Sequence, residues 1–178
     1  MFVRRIVAPI ILLLVIIPIH FANHQSAAIL PPALQLTKYD VRQIKCLADN
    51  MFFEAGTETA KGKKAVALVT LNRVNSDAFP DSICGVVKQK TNHTCQFSWW
   101  CDAKLKSKSV SKKFDFLEKQ LYDGIYQMAT HIYINRGKMK DFTKGSLFYH
   151  ADYVKPNWKN LKKTIKVDTH IFYTFNKE

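Results

Sequence analysis

The strongest constraint in this 178-residue chain is a pair of helix patterns that meet at a glycine. Residues 46–74 read CLADNMFFEAGTETAKGKKAVALVTLNRV. Upstream, Thr37 offers an N-cap, and Asp40 three residues on approaches a capping box. A helix is expected over 38–55, with Val41, Ile44, Leu47, Ala48, Met51, Phe52 and Ala55 on one broad face. Gln43, Cys46, Asn50 and Phe53 form an opposite stripe, and its cysteine and aromatic ring imply that it too is partly covered. Gly56 ends the helix. A second helix starts near Thr57 or Thr59 and runs to about Asn75. Its Ala65, Val66, Ala67, Leu68, Val69, Leu71 and Val74 point in every direction, which places it in the middle of a domain. Its length and small residues favour a helix over a buried strand.

The remainder is mainly helical with a β tail. Phe79, Pro80, Asp81 and Ser82 make a turn and a cap before a short helix over 83–90. Residues 91–106, containing CQFSWWCD, read as a loop. A long helix is expected over 111–135, with Phe114, Leu117, Leu121, Ile125, Met128 and Ile132 as its core stripe. Gly124 beside that stripe signals either a close helix approach or a weak spot. Residues 146–150 are strand-like, and 164–167 and 170–175 flank Asp168 and Thr169 as a hairpin.

The N-terminus belongs to none of this. Residues 1–28 have Arg4 and Arg5, an apolar run over 6–22, and Ser26-Ala27-Ala28. Those are the parts of a signal peptide cleaved after Ala28. The alternative is an uncleaved anchor, with 6–22 as the membrane tether; Pro9 and Pro18 and the shortness of the run weigh against it. Residues 29–38 read as a linker and 39–178 as one domain. Of the net charge of +13, +11 lies beyond residue 28. Nucleic acid, anionic lipid and an anionic bacterial envelope could each match it, and export argues against nucleic acid. The even set Cys46, Cys84, Cys95 and Cys101 in an exported chain predicts two disulfides, with three pairings open. It contains no C-x-x-C pair of the kind a structural zinc site uses.

Glu54 leads the residues that could do chemistry. A carboxyl at a helix C-terminus faces the negative end of the helix dipole, and flanking Phe52 and Phe53 reduce its hydration. Both favour the protonated form that general-acid cleavage of a glycosidic bond requires. The bland alternative is a surface glutamate near a helix end. Glu58 is either a second carboxylate of a glycosidase pair or, the reading preferred, a charge at the start of the second helix. In CQFSWWCD, Gln96, Ser98 and Asp102 could bind hydroxyls while Phe97, Trp99 and Trp100 stack on sugar faces, unless these aromatics merely plug a core. His93, His131, His150 and His170 form no metal motif, and no G-x-S-x-G elbow or phosphate-binding glycine loop is present. No metal and no cofactor is expected.

Taken in order, the 46–74 block, FPDSICGVV, CQFSWWCD, GSLFYHAD and THIFYTF resemble the SleB-type cell wall hydrolases, which include the spore-cortex-lytic enzymes. The likeness covers about residues 40–175. It departs at Glu54-Ala55-Gly56-Thr57-Glu58, where the family form is closer to E-A-R-G-E, so the usual Arg is missing. The resemblance implies an α+β, mainly α, lysozyme-like or lytic-transglycosylase-like domain with a small β-hairpin element. It implies Glu54 as the single acid and base, with Glu58, Gln96, Phe97, Ser98, Trp100, Tyr149, His150, His170 and Tyr173 as substrate-binding residues. The implied substrate is the peptidoglycan glycan strand between N-acetylmuramic acid and N-acetylglucosamine. The implied product contains an anhydro ring; a muramidase, an amidase or a non-catalytic envelope binder are the alternatives. A monomer acting in the periplasm, cell envelope or outside the cell is expected, with no nucleic-acid partner.

Overall fold

The computed structural model describes residues 35–92, 94–111 and 114–176. The signal or anchor segment, most of the linker and His93 lie outside the described residues. Helix α1 spans Lys38–Ala55, α2 Ala60–Val74, α3 Ile83–Lys88, α4 Ser98–Cys101, α5 Ala103–Ser111 and α6 Phe116–Asn135. Strands β1 (Phe148–Ala151), β2 (Leu161–Val167) and β3 (His170–Phe175) form an antiparallel sheet in the order β1-β3-β2.

Helix α1 begins with a reciprocal capping box, in which Asp40 N donates to Thr37 Oγ1 at 3.1 Å and Thr37 N to Asp40 Oδ2 at 2.8 Å. The helix therefore starts inside the stretch read as a linker. Gly56 follows it with a right-handed backbone, φ −55°. Glycine is required there for space: a Cβ would lie 2.5 Å from the Phe52 carbonyl oxygen. Helices α2, α3 and α6 all pack on α1, so both of its stripes are covered, and Gln43, Cys46 and Asn50 are buried along with Ile44, Leu47 and Met51. Val41, expected inside, is 44% exposed. Thr59 caps α2, which is buried all round as expected.

Two expectations fail in the middle of the chain. The presumed loop over 91–106 contains α4 and the start of α5, since Asp102 Oδ1 accepts from Leu105 N at 2.9 Å and starts a new helix within the loop. The long helix starts five residues later than expected, at Phe116, because Asp115 and Glu118 form a capping box. Its buried face is Tyr122, Ile125, Ala129, Ile132 and Tyr133. Leu117 is 73% exposed and Leu121 40%. The tyrosines turn the helix, because their hydroxyls have carboxylate partners on α1: Tyr122 donates to the buried Asp49 Oδ1 at 2.7 Å and Tyr133 to Asp40 Oδ1 at 2.6 Å. A Cβ on Gly124 would meet nothing within 4 Å, so this glycine marks no close approach.

The disulfides are Cys46–Cys84 and Cys95–Cys101. The first ties α1 to α3 across 38 residues, a loop whose closure entropy corresponds to about 4 kcal/mol. The second closes a small ring around the QFSWW segment. The inner face of the sheet, with Val167 and Phe172, packs on Ala65 and Val69 of α2. The β2–β3 turn uses Asp168 in a left-handed conformation, φ 48°. Its carboxylate accepts from Thr59 N at 3.0 Å and Thr59 Oγ1 at 2.7 Å, which docks the hairpin on the N-terminus of α2. Gly62 makes room for this contact; a Cβ there would lie 2.3 Å from Asp168 Oδ2.

Candidate active site

The last turn of α1, the last turn of α2 and the start of β1 bring three side chains together. Glu54 reaches from α1, and Tyr149 of β1 donates its hydroxyl to Glu54 Oε2 at 3.0 Å. Arg73 of α2 is 3% exposed and acts on both electrostatically. A buried guanidinium needs partners for its donors and its faces. Nε donates to the Leu147 carbonyl at 2.7 Å. With the Gln96 amide turned so that its oxygen faces Arg73, the two terminal nitrogens donate to it at 3.1 and 3.3 Å. Phe79 and Phe97 lie 5.1 Å from the guanidinium carbon and Phe148 5.9 Å, an aromatic cage for the cation.

Burial sets the electrostatics of the cluster. It raises the pKa of Glu54 above the ordinary glutamate range, against the Tyr149 hydrogen bond and the field of Arg73. It lowers that of Arg73 to about 10, against Tyr149 and Glu54, so the guanidinium stays charged at neutral pH. It holds the Tyr149 phenol well above its usual value, with Glu54 acting in the same direction. The result is a carboxyl that holds its proton more tightly than an ordinary glutamate, beside a hydroxyl donor and a fixed cation. Such a group can give a proton to a leaving oxygen, and the donor and cation can then stabilise the carboxylate that remains.

The supporting contacts come from residues adjacent to these. Trp99 Nε1 donates to Asn50 Oδ1 at 3.0 Å, and Asn50 Nδ2 donates to Thr70 Oγ1 at 3.2 Å, which locks the QFSWW segment to α1 and α2. Phe53 stacks on Trp99 with centroids 4.7 Å apart. Asn72 Nδ2 donates to Asp141 Oδ2 at 3.0 Å and to the Ser146 carbonyl at 3.1 Å, which holds the approach to β1.

The other expected site residues divide. Gln96 joins the cluster through Arg73, and Ser98 is exposed at the start of α4. Trp100 is half-buried, with Lys106 4.5 Å and Lys88 5.2 Å from its ring centroid. His150 Nδ1 lies 2.8 Å from the Ala151 carbonyl, so that nitrogen carries the proton and Nε2 accepts from the Tyr173 hydroxyl at 3.0 Å. Phe97 and His170 depart from the expectation: they are 3% and 8% exposed, so their rings have no free face for a sugar. Phe97 cages Arg73, while His170 packs against Tyr149 at 5.2 Å and faces Glu58 at 4.0 Å. Glu58 also departs. Its carboxylate accepts from Thr169 N at 3.3 Å and Thr169 Oγ1 at 2.5 Å, so it clamps the β2–β3 turn. Asp102 is exposed and begins α5.

Arg73 is the participant that reading the sequence missed. The signal was available: a lone arginine in the otherwise apolar helix AVALVTLNRV must be buried, and a buried cation demands an anion or an acceptor set. Among the described residues, no group of three His, Cys, Asp or Glu is arranged to hold a metal.

A family model described as Cell Wall Hydrolase matches residues 57–173, a stretch that begins just after Glu54. Among curated proteins, the chain is similar to the spore cortex-lytic enzymes of Oceanobacillus iheyensis, 43% identical over 49 residues, and of Halalkalibacterium halodurans, 38% identical over 66 residues. These segments are 28% and 37% of this chain, and the chain spans 18% of the length of either relative. Among solved structures, the catalytic domain of the germination-specific lytic transglycosylase SleB from Bacillus anthracis superposes with a TM-score of 0.58 at 23% identity. That match covers 79% of this chain and 100% of the other. The catalytic domain of Bacillus cereus SleB gives 0.54 at 22% identity, over 78% and 94%. Likeness at these identities is a likeness of fold, and it agrees with the mainly helical architecture with a small three-stranded sheet.

Proposed function

The chain belongs to the cell wall hydrolase family, and from that premise we propose that it cleaves the glycan strands of peptidoglycan as a lytic transglycosylase, with Glu54 as the one acid and base. The observation that carries this reading is the Glu54 carboxyl, whose pKa burial raises while Tyr149 donates to it at 3.0 Å beside the buried cation of Arg73. Glu54 gives its proton to the oxygen linking N-acetylmuramic acid to N-acetylglucosamine, and the bond from C1 to that oxygen breaks. The carboxylate then takes the proton of the muramyl 6-hydroxyl as that oxygen bonds to C1. The ring closes, Glu54 regains its proton, and no water is consumed.

A single carboxylate suffices for this route, and the placement of the other acids supports it. Glu58 is committed to Thr169, and Asp102 starts a helix. A muramidase would need one of them to serve an attacking water. The solved relative that carries the words lytic transglycosylase has this fold, which favours the same product. Action on the wall takes place outside the cytoplasm, in keeping with the leader-like residues 1–28 and the net charge of +13, which suits an anionic envelope. Mass spectrometry of fragments released from purified sacculi tests the mechanism. Anhydro-muropeptides are expected; reducing ends would replace the lyase with a muramidase, and new amino termini would replace it with an amidase.

A further inference from the structure

The β-sheet has a second face that the Glu54 cluster does not use. Strand alternation turns Tyr149, His170 and Phe172 inward, and Phe148, His150, Ile171, Tyr173 and Phe175 outward. Trp158, from the segment between β1 and β2, lies across that outer face. Its ring centroid is 6.0 Å from Phe148, 5.4 Å from His150 and 5.7 Å from Tyr173, yet the residue remains 43% exposed. A cavity of about 320 Å³ opens beside it, lined by Trp158, Tyr173, His150, Ile171 and Leu161, with Asp152 and Lys155 among its polar groups. An open cavity with aromatic walls and a few polar tips suits a ligand with both apolar faces and hydroxyls.

This face is continuous with the cluster at Glu54. Phe148 is at once a wall of the Arg73 cage, at 5.9 Å, and the ring against which Trp158 leans. Tyr149, the next residue, holds Glu54. Phe148 and Tyr149, neighbours on the edge strand β1, thus link the two faces, and a chain molecule engaged at Glu54 would reach the outer face by crossing that edge.

We infer that the Trp158 cavity is an extended binding site for the glycan strand, in which a sugar remote from the scissile bond stacks on Trp158 while Tyr173 and Asp152 meet its hydroxyls. The inference rests on the reading of the chain as a glycan-cleaving enzyme. Its test separates the two. Purified sacculi and peptide-free glycan strands serve as probes for Trp158→Ala and the conservative Trp158→Tyr. Trp158→Ala is expected to lower retention on both probes and raise KM about tenfold with kcat within twofold, and Trp158→Tyr to restore most of the loss. Unchanged KM and retention in a folded Trp158→Ala protein would overturn the inference while leaving the catalytic reading standing. Sacculus binding that depends on Trp158 but releases no fragment would do the opposite. Hydroxyl-radical footprinting of the unaltered chain gives a measurement free of folding effects. Glycan strands should protect Trp158 and not Tyr153, which is 83% exposed and does not line the cavity; equal labelling of Trp158 with and without glycan would sink the proposal.

Discussion

Asp49, which is buried, and Glu54, which is half-buried, stand five residues apart on the same helix, and their partners differ. Asp49 is saturated. Lys45 donates to Oδ2 at 2.6 Å, Ser109 Oγ to the same oxygen at 2.8 Å and Tyr122 to Oδ1 at 2.7 Å. Three elements thus meet on one carboxylate, and it fastens α5 and α6 to α1. Glu54 has the Tyr149 hydroxyl on one oxygen and the field of Arg73 nearby, against a burial that dominates both. A carboxyl with a full set of donors is a fastening; one with fewer donors than its burial demands keeps its proton and can give it away. On the function proposed above, the same residue chemistry on one helix is divided between holding the fold and cleaving a bond.

The contrast can be broken at four points. Glu54→Gln should lower the rate of sacculus turbidity loss about 10³-fold with the circular dichroism spectrum retained, since general acid and base action are both removed; near wild-type lysis would end the assignment. Asp49→Ala should leave the donors of Lys45, Ser109 and Tyr122 without an acceptor and cost about 3 kcal/mol in urea unfolding, with turnover per folded molecule close to that of the parent. Were Asp49→Ala inactive yet fully stable, the division of labour would be wrong. Tyr149→Phe removes the hydrogen bond that lowers the pKa of Glu54, so the alkaline limb of the pH–rate profile should move to higher pH and kcat should fall about tenfold. A limb that moves down would show that Tyr149 does not face the working acid.

The smallest effect concerns stability. The folded chain holds the Glu54 proton more tightly than the unfolded chain does, so the stability of the parent declines as pH rises from the ordinary glutamate pKa through the raised one. Gln carries no such penalty. Glu54→Gln should melt about 3 °C higher than the parent near neutral pH, with the gap closing near about pH 4.

Much of this was legible in the sequence because it was written in local chemistry. Thr37 with Asp40, Thr59 and Ser82 are caps whose signals lie within three residues of the helices they start. Helix α2 announced its burial by being apolar on all sides, and the hairpin by its two apolar runs around Asp168 and Thr169. Where the reading failed, long-range polar contacts decided the outcome. Leu117 and Leu121 outrank tyrosine on any hydropathy scale, but Tyr122 and Tyr133 each have a carboxylate partner more than seventy residues away, and so α6 turns its tyrosines inward. Glu58 accepts from Thr169 of the β2–β3 turn, a partner 111 residues away that a reading from the helix dipole does not supply. The buried face of Phe97 and the role of Arg73 both depend on a cage assembled from α2, the turn before α3, the QFSWW segment and β1, which no window of sequence contains.

The docking of the β2–β3 turn on α2 has a consequence for the order of assembly. Thr59 and Asp168 are 109 residues apart, and Glu54 and Tyr149 are 95 apart. Helices α1, α2 and α3 can pair through contacts between near neighbours in the chain, whereas the N-terminus of α2 receives its carboxylate, and Glu54 its hydroxyl, only when the last strands join. A chain emerging from the ribosome or through a membrane therefore carries its acid well before it carries the group that tunes it. A chain cut short of β1 would retain Glu54 and lack the hydroxyl that tunes it.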